Sequence, residues 1–112
     1  MANIYKNVQK LLDSTSPTQE MYASPAETTS IVKTINLYNS HGSNLDVTVT
    51  IYDNSSTTSF DYQIITVDAS NSVDLLTFNN VLILEAGDKL KMQCATTNVI
   101  KMTAAVLQTS RS

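Results

Sequence analysis

One cysteine, one histidine and a scatter of carboxylates and lysines are the groups in this sequence with reactive potential. The cysteine, Cys94, sits in Lys89-Leu90-Lys91-Met92-Gln93-Cys94-Ala95, just after an acidic corner, Glu85-Ala86-Gly87-Asp88. A thiol among lysines acts as a nucleophile when it is exposed and ionised. The alternation argues against exposure: Leu90, Met92 and Cys94 share one phase, Lys89, Lys91 and Gln93 the other. Cys94 is therefore expected to point inward and pack as a small hydrophobe. With Gly87 free to take a positive φ, the corner reads as a reverse turn whose acids need do no chemistry. His41, the only histidine, lies in the polar turn Ser40-His41-Gly42-Ser43-Asn44, so neither a histidine pair nor a multi-histidine metal site has its members. Asp53, Asp61 and Asp68 flank loops, but their spacing matches no calcium loop, and turn capping accounts for such residues. No glycine-rich phosphate loop occurs. The expectation is no catalytic residue, no metal ligand and no cofactor: a chain that is not an enzyme.

A chain of 112 residues holds one domain with one modest core. Its formal charge of -3 and scattered basic residues provide no field for polyphosphate, so no nucleic-acid partner is expected. Hydrophobic residues make up 42% and charged residues 15%, and Ser, Thr and Asn together about a third: a folded chain with a hydroxyl-rich surface. A single cysteine forms no internal disulfide, which points to a reducing cytoplasm. No apolar run approaches the roughly 18 residues of a membrane span, and Met1 to Ser14 lacks the features of a secretory signal, so no membrane partner is expected.

The elements that position these residues read as strands. Leu45 to Asp53 alternates, with Leu45, Val47, Val49 and Ile51 on one face and Asp46, Thr48, Thr50 and Tyr52 on the other. In Ser30 to Asn39, Lys33 falls in phase with Ile31, Ile35 and Leu37, which requires an edge strand or a bulge; an edge or rim is favoured. The polar segment from Asp68 to Asn71 separates two further runs, and Asn71 and the Asn79-Asn80 pair are read as turn residues in place of glycine. Pro17 and Pro25 bracket a short strand containing Met21 and Tyr22. The N-terminal run reads equally as short helix, extended arm or first strand. Seven to eight short strands at these spacings give an all-β fold, an antiparallel β-sandwich or jelly roll, organised as an N-terminal arm or first strand over residues 1–16 and a sandwich domain over residues 17–112.

The last two runs set a register. Ile100, Met102, Ala104 and Val106 form the apolar phase of the final strand, so a hairpin pairing Cys94 with Ile100 and Met92 with Met102 brings both apolar faces together. Thr96, Thr97 and Asn98 then form a three-residue loop with Asn98 left-handed. On the outer face, Gln93 would oppose Lys101 and Lys91 oppose Thr103.

Three segments occurring in order carry a resemblance: Pro25-Ala26-Glu27-Thr28-Thr29-Ser30-Ile31-Val32-Lys33-Thr34-Ile35, then Asp46-Val47-Thr48-Val49-Thr50, then Leu82-Ile83-Leu84-Glu85-Ala86-Gly87-Asp88-Lys89-Leu90. Over roughly Glu20 to Thr109 the chain resembles small β-sandwich virion proteins of tailed bacteriophages, in which a proline turn enters a strand with a central lysine and a Leu-Glu-x-Gly-Asp-x-Leu corner precedes the final hairpin. Glu27 departs from that pattern, standing where glycine is frequent. The resemblance implies a structural protein located in the virion and made in the cytoplasm of a bacterial host. Its partners would be the major capsid protein or another virion protein, with homo-oligomers expected, and capsid decoration, or cement, is the leading role. A neck, tail or fibre component is the alternative, and a carbohydrate-binding module is a lesser one, given 6% aromatic residues and no tryptophan.

A small sandwich without a catalytic constellation acts through its surface. Three sets of residues are candidates for a partner interface. The first is the apolar set of the N-terminal run, Ile4, Tyr5, Val8, Leu11 and Leu12, which would dock on a partner or pack on the chain's own sandwich. Tyr38 and Tyr52, out of phase with their strands' apolar sets, are the second. The third is a basic stripe of Lys89, Lys91 and Lys101.

Overall fold

The computed structural model describes residues 2–12, 19–76, 81–96 and 98–110. Among them the strands are β1 (Ala2–Leu12), β2 (Gln19–Ala23), β3 (Thr28–Asn39), β4 (Leu45–Asp53), β5 (Thr58–Val67), β6 (Ser72–Asp74), β7 (Leu82–Leu84), β8 (Lys89–Cys94) and β9 (Ile100–Ser110). They build two antiparallel sheets facing each other across one core, a β-sandwich. One sheet runs β1-β9-β3, with β6 and β7 both paired along the far side of β3. The other runs β2-β8-β4-β5. The nine strands exceed the expected seven or eight because the N-terminal run is a strand, in register with β9 from Ala2 opposite Ser110 to Leu12 opposite Ile100. Pro17, Thr97, Asn79 and Asn80, on which several expected turns rest, lie outside the described residues.

Most connections change sheet, and the final one corrects the expected hairpin. β8 pairs with β4, setting Cys94 opposite Val47 and Met92 opposite Val49, whereas β9 pairs with β1 and β3. None of the pairs Cys94–Ile100, Met92–Met102, Gln93–Lys101 or Lys91–Thr103 forms. The reason is geometric. Alternation identifies the buried phase of each strand, but the inner faces of both sheets look onto the same core, so matching phases suit an arch between sheets as well as a hairpin within one. Asn98 does take the left-handed conformation, with φ 65°, and its N–H donates to the Leu12 carbonyl at 2.9 Å, tying the arch to the end of β1.

The edge expected for β3 is also corrected, because β3 is an interior strand with β9 on one side and β6 and β7 on the other. The bulge is what resolves Lys33. Val32 pairs with Val106 and Thr34 with Ala105, so Lys33 is the extra residue, and the buried phase shifts from Ser30 and Val32 to Ile35 and Leu37 across it. In the Asp68 to Asn71 turn the positive φ belongs to Ser70, at 57°, rather than to Asn71. Asn71 instead closes the turn, its N–H donating to the Asp68 carbonyl at 3.1 Å.

The core interleaves Val32, Ile35, Leu37, Met102 and Val106 from one sheet with Val47, Val49, Leu90, Met92 and Cys94 from the other, all at most 2% exposed. Burying each of the larger side chains contributes about 1.5–3 kcal/mol, which is what holds two sheets with mostly non-local connections together. β1 lies across the core from β2 and β8, and β5 borders the opposite flank, so the two long edge strands, β1 and β5, fall on opposite sides of the sandwich.

Candidate interaction surfaces

The groups singled out for chemistry serve the fold. Cys94 is 2% exposed within the core. The His41 ring accepts a hydrogen bond at Nδ1 from the Ser43 N–H at 3.1 Å, and the His41 N–H donates to Asn39 Oδ1 at 2.8 Å, so the imidazole belongs to the β3–β4 turn. The Asp88 carboxylate accepts from the backbone N–H groups of Asn54 at 3.0 Å and Glu85 at 2.9 Å, binding the acidic corner to the loop after β4. Gly87 takes φ 83°, and a Cβ there would meet Asn54 Nδ2 at 2.5 Å, so both conformation and space require glycine. Hydroxyl hydrogen bonds from Ser55 and Ser56 hold the Asp53 carboxyl below its usual range, as for a loop cap. Among the described residues no three His, Cys, Asp or Glu side chains gather as a metal site would require.

Two polar clusters inside the sandwich went unread in the sequence. At one end the Ser24 hydroxyl donates to the Thr28 carbonyl at 2.9 Å and lies 2.9 Å from Ser30 Oγ. Tyr22 Oη lies 2.8 Å from the same Ser30 oxygen, and Gln108 Nε2 donates to that phenol. Gln108 simply continues the inward phase of Met102, Ala104 and Val106, and that signal was there to be followed. At the other end Asn39, fully buried, donates through Nδ2 to the carbonyls of Ser43 at 2.9 Å and Val67 at 3.0 Å. No buried side-chain polar atom among the described residues lacks a partner, so these clusters are closed rather than poised for a ligand.

The remaining candidate residues lie on the strands' outer faces and edges. In the N-terminal set Leu12 is fully buried, which removes it as a partner contact, and Val8 is half-buried against the core. The correction has a simple cause: Leu12 pairs with Ile100 and shares its inward face. Ile4, Tyr5 and Leu11 stay 49%, 76% and 44% exposed. The proposed basic stripe divides. Lys89 and Lys91 lie on the outer face of the second sheet, while Lys101, on β9, lies on the outer face of the first, across the sandwich. Lys89 and Lys91 instead flank Tyr52, with their Nζ atoms 5.5 and 5.1 Å from its ring centre, and Lys89 also pairs with Glu20 at 3.4 Å. Tyr52 is accordingly half-buried, whereas Tyr38 is exposed.

Two surfaces were missed. On the outer face of the first sheet, Tyr5, Leu107, Ile31 and Ile83 stand side by side on four adjacent strands, with Lys33 reaching to 5.8 Å from the Tyr5 ring centre. On β5, the outermost strand of the second sheet, Phe60, Tyr62 and Ile64 are 55%, 43% and 69% exposed. Both arise from sheet neighbours, which the run of residue types along a strand does not specify.

No family model and no curated protein matches the chain. Among solved structures it is similar in fold to a subunit of the disulfide-linked pili that form Bacillus endospore appendages, at 12% identity and a TM-score of 0.59, covering 98% of this chain and 89% of that one. It is likewise similar to a chain from the acid-stable capsid of Helicobacter pylori bacteriophage KHP30, at 14% identity and a TM-score of 0.54, covering 100% and 90%. At such identities the likeness establishes the all-β sandwich they share.

Proposed function

We propose that the protein is a non-enzymatic structural component of a bacteriophage virion, a decoration protein bound to the outer capsid lattice. The observation that carries this reading is the division of the molecule into a closed interior and a sticky exterior. Every buried side-chain polar atom among the described residues is satisfied, while large apolar side chains stand exposed along two strand edges and one sheet face. Such a molecule works by repeated contact, and weak contacts repeated over a lattice add up to firm attachment. The sequence resemblance to phage virion proteins and the shared fold with a phage capsid chain support the setting. The fold shared with the pilus subunit points to no disulfide-linked assembly for this chain, because its one cysteine is buried.

The test is the copy number of the chain relative to the major capsid protein in purified particles, measured by quantitative mass spectrometry. Copies in the hundreds are expected. About a dozen would place the chain instead at a symmetry axis of the neck, tail or fibre, and none would overturn a virion role and favour recognition of a host-surface sugar.

A further inference from the structure

Among the described residues two long strands have a neighbour on one side only, β1, which pairs with β9, and β5, which pairs with β4; the other edge strands, β2, β6 and β7, are short, at 5, 3 and 3 residues. An open strand edge is a template for another strand, and proteins that must stay monomeric cover it, shorten it or charge it. Here both edges are long, at 11 and 10 residues, and both carry exposed large apolar side chains: Ile4, Tyr5 and Leu11 on β1, and Phe60, Tyr62 and Ile64 on β5. Their charges are opposite. β1 bears Lys6 and Lys10 and no acid, β5 bears Asp61 and no base, and all three side chains are exposed.

We infer that the β1 edge of one copy of this chain pairs with the β5 edge of a second copy, joining the first sheet of one sandwich to the second sheet of the next. Charge selects this pairing over its alternatives. Antiparallel pairing of two β1 strands sets the lysines of one copy against those of the other, and like charges across strands repel. Pairing of two β5 strands brings together two carboxylates and two bulged segments, since Tyr62 is the residue skipped where Val49 pairs with Gln63 and Thr50 with Asp61. Of the three pairings of these long edges, only the mixed one sets ammonium groups against a carboxylate. The lysines that guard β1 against its own kind thus direct it to an acidic edge. Because the two edges lie on opposite flanks, the contact is head-to-tail: each copy offers one edge and receives on the other. Such an interface repeats until it closes into a ring or runs on as a filament.

This deepens the assembly role proposed above by naming a second copy of the chain as one partner, and it is read by self-association rather than by particle content. A chain found in particles yet monomeric in solution would leave the virion reading standing and overturn this one.

The test is sedimentation of the full chain, with circular dichroism to verify that each variant is folded. Lys6, Lys10 and Asp61 are exposed, so their reversal leaves the core untouched. The wild type is expected to associate beyond a dimer below about 1 mM. Lys6→Glu with Lys10→Glu, and separately Asp61→Lys, should each weaken association about tenfold or more, because each variant now meets its own copies with like charges. Mixing the two variants should restore it, since acidic β1 then meets basic β5 and native β1 meets native β5. If the Asp61→Lys chain still assembles as the wild type does, the contact does not use β5. If the lysine-reversed chain does, it does not use β1. A mixture that stays monomeric, or a wild type monomeric throughout, overturns the proposal.

Discussion

Glu27 holds φ at 56° in the turn between β2 and β3, a conformation that costs a residue with a Cβ about 1–2 kcal/mol. The turn keeps a glycine-like backbone without the glycine, which is how this chain departs from the family it resembles. Glu27→Gly should therefore stabilise the fold by about 1 kcal/mol, the relief of strain being partly offset by a more flexible unfolded chain, and thermal unfolding at fixed pH checks it. A drop in melting temperature would mean that the glutamate side chain makes good its own strain. Asn39 is a second residue whose weight is out of proportion to its size. Its side chain donates to two carbonyls and accepts from the His41 N–H, all at a sandwich end with little water. Asn39→Ala leaves these groups without partners and should cost about 3 kcal/mol in urea unfolding, well above an average substitution. The contrast between the two residues shows what residue types reveal. Gly87, Asn98 and the inward Cys94 were legible because backbone freedom and alternation are local properties. Asn39 was not, because the carbonyl of Val67 that it binds comes from a strand whose place the local pattern leaves open.

At the scale of elements, strand positions were largely legible and strand partners were not. The alternation in β4, β8 and β9 delimited those strands and their buried faces, yet β8 and β9, consecutive and matched in phase, belong to different sheets. Phase reports a side of a strand, and both sheets turn that side to one core. The same limit left the exposed apolar residues of β5 unread, and it grouped Lys101 with two lysines that lie on the other sheet. Crosslinking separates the arch from the hairpin. In a Cys94→Ala background, Thr48→Cys with Gln93→Cys places two thiols at opposed positions of neighbouring strands, where mild oxidation should form a disulfide. Gln93→Cys with Lys101→Cys places them on opposite outer faces and should stay reduced. The hairpin register predicts a bond in the second pair, so mass spectrometry of the oxidised variants gives one answer or the other.

For the molecule as a whole, the sorting of charge between the sheets decides how it can sit on a lattice. Strands of the first sheet carry Lys6, Lys10, Lys33 and Lys101 against Asp74. Strands of the second carry Lys89 and Lys91 against Glu20, Asp46, Asp53 and Asp61. Lys6 and Lys10, opposite the buried Val106 and Met102, stand in the inward phase at the rim of β1, so in this chain of net charge -3 the outer face that bears the apolar row through Tyr5 and Ile83 has Lys33 and Lys101 against Asp74. Packed sheets stand about 10 Å apart, comparable with the screening length of about 8 Å at physiological salt, so each face presents its own charge to a partner. The lysines of the second sheet are in any case engaged, by Tyr52 and, for Lys89, by Glu20. A decoration protein with these properties would lay the first sheet on acidic lattice surface and leave β1 and β5 at its flanks for neighbouring copies. Lys33→Glu with Lys101→Glu should then weaken binding to stripped particles roughly tenfold at low salt, an effect that shrinks as salt rises, while Lys89→Glu with Lys91→Glu leaves binding near the wild-type level. Equal losses from both pairs would mean that no single face meets the lattice. Loss from the second pair alone would turn the sandwich over.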